Sequence, residues 1–169
     1  MPHEILSKRY LGISQTSRRS DEEIANGYAP PRSDVHIVHN FQHDLESLWW
    51  TVLWTLTYRS GHAPARKYAG RIFQNQMTLP DARIRAFEYS IVTHLTECLS
   101  PDLQCFVSTM ELLREILWNH YIRRTEEDLL FNMNSYTSTY SFFQTSFERL
   151  LLQHARWRDY PLRVTVREP

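Results

Sequence analysis

The chain has 169 residues, 42% of them hydrophobic and 13% aromatic, which is enough apolar side chain for one compact core. Nineteen basic residues balance nineteen acidic ones, so no long-range field draws the chain to nucleic acid or anionic lipid, and neither is expected as a partner. Two cysteines, Cys98 and Cys105, are too few for a disulfide framework and read as small apolar residues on separate helices of an intracellular, cytoplasmic or nuclear protein. No apolar run approaches the roughly 20 residues of a membrane span, and the segment from Met1 to Leu6 lacks the apolar stretch of a signal peptide.

Four glycines and a recurring 3.6-residue apolar period predict a mainly α fold. From about Ser7 to Val38 the chain is rich in Ser, Arg, Asp and Pro, and Pro30-Pro31 stops regular structure, so this stretch is expected to be a long exposed loop. Ser14, Thr16, Ser17 and Ser20 beside Arg18 and Arg19 could accept phosphate there, as any Ser-rich loop could.

The first helix is predicted from Gln42 or His43 to Tyr58, with Leu45, Leu48, Trp49, Val52, Leu53 and Leu56 on one stripe and Trp50 and Trp54 on a second. Such a helix is expected at the centre of the fold, enclosed by its neighbours, and Arg59-Ser60-Gly61-His62 supplies its stop. A shorter helix is expected from Pro64 to Asn75, with Tyr68, Ile72 and Phe73 turned inward. Thr78, Pro80 and Asp81 signal the next, a single helix striped by Ile84, Phe87, Ile91, Leu95 and Leu99. Ser100-Pro101-Asp102 opens a long helix carrying Leu103, Phe106, Met110, Leu113, Leu117 and Tyr121, which ends in the charged break from Arg123 to Asp128. The last is expected from Asn134 to His154, with Tyr136, Tyr140, Phe143, Phe147, Leu150 and Leu151 inward, and after Pro161 the tail is a short strand or disordered.

Two segments carry a family resemblance. Met1-Pro2-His3-Glu4-Ile5-Leu6 resembles the close of a kinase activation segment, and His43-Asp44-Leu45-Glu46-Ser47-Leu48-Trp49-Trp50 resembles the opening of the central F helix in the fungal-type protein kinase family. The resemblance implies that residues 1 to 153 form a partial kinase-like domain, the helical C-lobe, with an F-type helix at about 43 to 58, four or so further helices around it, and a tail from 154 to 169. By the same resemblance Asp44 is the F-helix aspartate that accepts hydrogen bonds from the catalytic-loop backbone, a supporting role; otherwise it is an ordinary acid at a helix start. Glu4 resembles the glutamate that pairs with a buried arginine below the activation segment, for which Arg83, Arg85 or Arg114 is available, or else it is an exposed acid.

Phosphoryl transfer needs a Gly-rich loop, a strand lysine paired with a helix glutamate, a catalytic-loop aspartate and asparagine, and a metal-binding Asp-Phe-Gly. The sequence contains no GxGxxG, HRD or DFG, so the chain alone is expected to be inactive, with no catalytic, cofactor-binding or metal residues; ATP and magnesium belong to the full parent domain. The exposed lobe surface would then meet either the missing kinase segments or a protein partner, and a non-catalytic interaction module is the alternative reading. His36, His39 and His43 lack a fourth ligand for zinc, and His43, Asp44 and Ser47 diverge around one helix and cannot form a hydrolase triad. The tryptophans read as core rather than as a stacking platform, since no basic surround accompanies them.

Overall fold

The computed structural model describes residues 40–74, 80–126, 133–153 and 156–163. These residues form six α-helices and no strand: α1 (Phe41–Tyr58), α2 (Ala63–Ile72), α3 (Asp81–Glu88), α4 (Val92–Cys98), α5 (Phe106–Glu126) and α6 (Thr137–Gln153). Short 3-10 turns at Pro101–Leu103 and Met133–Tyr136 precede α5 and α6, and a third at Arg156–Asp159 follows α6. The expected loop from Ser7 to Val38 lies outside the described residues.

Helix α1 begins where its orphan N–H groups find acceptors. The Asn40 side chain accepts from the backbone of Gln42 and His43 at 3.0 and 3.3 Å, and the Asn40 N–H donates to His43 Nδ1 at 3.1 Å, a reciprocal cap. It stops before Gly61, whose φ of 74° is the left-handed conformation glycine tolerates best, and a Cβ there would stand 2.9 Å from Arg163 Nε.

The core gathers Trp49, Trp50, Leu53 and Leu56 of α1, Ala65 and Ile72 of α2, Phe87 of α3 and Leu95 of α4. Met110, Leu113, Leu117 and Tyr121 of α5 and Phe143 and Leu150 of α6 complete it. Helix α1 packs on α2 and α5, and α5 in turn touches α1, α3, α4 and α6, so the two share the centre. Polar stitches join them: Gln42 Nε2 donates to the Leu117 carbonyl at 3.0 Å and Trp49 Nε1 to the Met110 carbonyl at 2.9 Å. Both donors are buried, so these bonds offset the cost of taking them out of water.

The expected single helix from Asp81 to Leu99 is in fact two, broken at Tyr89-Ser90-Ile91. In an unbroken helix the Ile91 N–H would bond the Phe87 carbonyl. Instead Ile91 N–H donates to Glu111 Oε2 at 2.8 Å and the Phe87 carbonyl accepts from Arg114 Nη1 at 3.0 Å, so an ion pair on α5 replaces the missing helical bond. Ser100-Pro101-Asp102 opens a 3-10 turn, with α5 starting only at Phe106, which leaves Cys105 in the connecting turn rather than on a helix. Both cysteines are free thiols, and burial pushes Cys98 up to about 11.

Helix α2 ends at Ile72, short of the expected Asn75. Phe143 and Leu150 of α6 and Tyr136 of the 3-10 turn before it are buried, whereas Tyr140 and Leu151 are exposed. Beyond it Trp157 packs edge-on against Phe106 at 5.4 Å, Tyr160 Oη donates to the Ser60 carbonyl and Arg163 N–H to the Arg59 carbonyl, so the tail to residue 163 is tied to the α1–α2 turn. No helix among the described residues is long and apolar enough to cross a membrane.

Candidate functional site

The first turns of α1 hold two carboxylates in opposite settings. Asp44 is exposed, while Glu46, two residues on, is fully buried. The buried residues Gln42, His43, Leu45, Glu46, Trp49, Trp50, Leu53, Leu56 and Thr57 cover a little under half the circumference at about 100° per residue. The rest is an open arc carrying Asp44, Leu48, Thr51 and Tyr58, so α1 is central but not enclosed all round as the sequence pattern implied.

Glu46 organises the buried side. Its Oε1 accepts from Trp50 Nε1 and its Oε2 from Tyr121 Oη, each at 2.7 Å, so one carboxylate joins two turns of α1 to the far end of α5. The Arg83 guanidinium from α3 lies 4.4 Å from the centre of the Trp50 ring and faces Phe73 at 5.9 Å. Burial lowers the Arg83 pKa and the Glu46 charge raises it, a mutual arrangement of two ions inside an aromatic wall. Trp49, Trp50, Phe87 and Tyr121 complete that wall with edge-on contacts between 4.6 and 6.1 Å.

Glu4 lies outside the described residues. Of the arginines considered for it, Arg83 sits on Trp50, Arg85 is exposed, and Arg114 directs Nε and Nη2 to Glu111 and Nη1 to the Phe87 carbonyl. His43 is a buried cap that stacks at 6.1 Å on Tyr121, and His36 and His39 lie outside the described residues. No group of three metal-ligating side chains occurs among the described residues. Trp49 and Trp50 are core, whereas Trp54 reaches the surface, stacked at 5.7 Å on Tyr58 with the Arg59 guanidinium 5.5 Å above it. An open groove of about 370 Å³ runs along Ile116, Asn119, His120, Ile122 and Arg123 of α5 and includes neither Asp44 nor Glu46.

Glu46 and the Glu111–Arg114 pair are the polar centres that sequence reasoning missed. A signal was present for the first: Glu46 falls in phase with Trp49, Trp50 and Leu53 rather than with Asp44, and an acid on the buried phase of a helix needs donors. Removing the Asp44 charge as Asp44→Asn should change stability by no more than about 0.5 kcal/mol in urea denaturation, because the side chain is exposed. A loss several times larger would assign it a structural role. No family model, curated protein or solved structure matches the chain.

Proposed function

We propose that the chain is the helical C-lobe portion of a fungal-type serine/threonine protein kinase domain, and that by itself it does not transfer phosphate. The observation that supports this reading is α1. It is a Trp-rich helix with about half its residues buried, and with an open arc whose N-terminal end carries Asp44. In the family this chain resembles, that aspartate holds the catalytic-loop backbone, so an open, acid-tipped arc suits a lobe whose catalytic loop lies in other residues. Under this reading the parent domain uses ATP and magnesium, and the protein works inside the cell, in cytoplasm or nucleus. The second reading, a non-catalytic helical interaction module, draws on the same arc as a surface for a protein partner.

Thermal melting of the 169-residue chain with and without MgATP tests the missing-site argument. A ligand at about 100 times its dissociation constant adds roughly 2.7 kcal/mol. The expected result is an unchanged melting temperature, and a clear rise would overturn it. Sequencing the transcript upstream of Met1 separates the two readings: an open frame encoding HRD and DFG motifs supports the kinase lobe, and stop codons support the module.

A further inference from the structure

We propose that the exposed face of α2 docks an acidic segment of a partner protein, whose carboxylates meet Arg66, Lys67 and Arg71 while its chain closes over Gly70. At about 100° per residue, Ala63, Pro64, Arg66, Lys67, Gly70 and Arg71 fall within one arc of about 160°, and all six are exposed. The opposite side of the helix, Ala65, Ala69 and Ile72, is buried. Helix α2 brings three basic residues and no acidic one to a chain whose charges otherwise cancel, so its outer face is a local excess of positive charge. None of the three has an ion pair among the described residues.

Gly70 sits in the middle of that face, one turn after Arg66 and Lys67. Its backbone is ordinary helix with no positive φ, and a Cβ there would meet nothing within 4 Å beyond its own helix. The fold thus has no conformational or packing need for glycine at a position where it weakens a helix relative to alanine. A bare backbone between cations suits close approach from outside, with a partner's chain lying in the gap and its carboxylates held on either side. The occupant follows from what the face carries and lacks. Lys67 and Arg71, one turn apart, are separated by a rise of about 6 Å, close to the roughly 6.6 Å between alternate residues of an extended chain. No aromatic ring lies in the exposed arc to stack on a base, and Tyr68 faces His94 at 5.4 Å. No large apolar side chain lies there to enter a bilayer. Protein carboxylates are the anions that require neither. The face lies outside the α1 arc, so the inference rests on neither functional reading, and the MgATP and transcript results leave it untouched.

Fluorescence anisotropy of a labelled hexaglutamate peptide, titrated with the full 169-residue chain at about 50 mM salt, tests it. The expected result is saturable binding that weakens as salt rises. Arg66→Glu combined with Arg71→Glu should weaken it about tenfold or more, whereas Arg149→Glu, at an exposed cation of α6, should change it by less than about twofold. Gly70→Gln keeps every charge and fills the gap. It should weaken binding about threefold or more while the melting temperature stays level or rises, because glutamine is the better helix former. Should the double reversal fail to fold, Gly70→Gln decides the matter, since that position is open and tolerates a side chain. Absence of binding overturns the proposal, as does a Gly70→Gln chain that binds as well as the wild type. Equal losses in Arg149→Glu and the α2 variant overturn it too, and so does tighter binding of oligothymidylate or phosphatidylserine vesicles than of the peptide.

Discussion

Glu46→Ala should destabilise the protein by about 3–5 kcal/mol, the range for removing one partner from a buried ionic network. The carboxylate is fully buried and receives Trp50 Nε1 and Tyr121 Oη, so alanine leaves two buried donors without their acceptor and opens a void beside the Trp49–Trp50 pair. Each stranded donor costs roughly 1–3 kcal/mol. It also takes away the negative charge opposite Arg83, whose guanidinium is then held in a part-buried aromatic setting by Trp50 and Phe73. Against a total stability of about 5–15 kcal/mol for a domain of this kind, such a change removes about a fifth or more of what holds the fold. Glu46→Gln keeps the shape and one acceptor oxygen but turns an amide N–H₂ toward the other donor, so it should cost less, about 1–3 kcal/mol. Urea denaturation followed by tryptophan fluorescence measures both, with the midpoint falling at an unchanged slope. A cost below about 1 kcal/mol for alanine would mean that water reaches Trp50 and Tyr121 readily, and that the network has little weight.

The elements that could be read from the sequence are those whose cause is local. Helix α1 spans Phe41–Tyr58 against an expectation of Gln42 or His43 to Tyr58, because its apolar period and its Gly61 stop are both written within about twenty residues. The α5 stripe Phe106, Met110, Leu113, Leu117 and Tyr121 is buried throughout for the same reason. What could not be read depends on partners distant in the chain. Nothing between Asp81 and Leu99 announces a break, since the apolar period carries straight through it. The break arises because Glu111 and Arg114, twenty or more residues on, take over the two groups that the helical bond would have joined. The open arc of α1 escaped for a related reason. Leu48 and Val52 sit among tryptophans and leucines in sequence, and only the placement of α2 and α5 decides which face is covered. Glu46 was legible by phase alone, as an acid aligned with tryptophans, yet its Tyr121 partner lies seventy-five residues away.

Arg114→Ala should cost about 3–5 kcal/mol at neutral pH, and the loss should shrink in acid. The guanidinium donates from Nη2 and Nε to Glu111 Oε1 at 2.6 and 3.3 Å and from Nη1 to the Phe87 carbonyl, while its contact with the exposed Glu115, at 3.8 Å, is peripheral. Alanine therefore removes the cation paired with a buried carboxylate and leaves the Phe87 carbonyl without that donor in one step. Burial by itself would raise the Glu111 pKa, but the Arg114 hydrogen bond, the Ile91 N–H and the Arg114 charge outweigh it and hold the carboxyl below its ordinary 4.5. A depressed carboxyl contributes stability that is fully present above its unfolded value and is lost as pH falls through the folded one. In the wild type this contribution is complete at neutral pH and fades below pH 4.5. In Arg114→Ala the charge partner is gone and burial is opposed only by the Ile91 N–H and the Ser90 side chain, so the depression of Glu111 weakens and the variant's loss is largest where that group is charged. Urea denaturation at neutral pH and at about pH 3 should show the gap between the two proteins narrowing by 1 kcal/mol or more. A gap that stays constant would mean that the cost lies in the Phe87 carbonyl and lost packing, with Glu111 uninvolved. The double replacement Arg114→Met with Glu111→Leu removes both charges, yet recovers only part of the loss. The Ile91 N–H and the Phe87 carbonyl then face apolar side chains, unless α3 and α4 fuse into one helix and bond them to each other. Fusion is the outcome the apolar period itself encodes, and an increase in helical circular dichroism in the double variant would reveal it. The ion pair is thus what divides a stretch of chain that local sequence alone would make continuous.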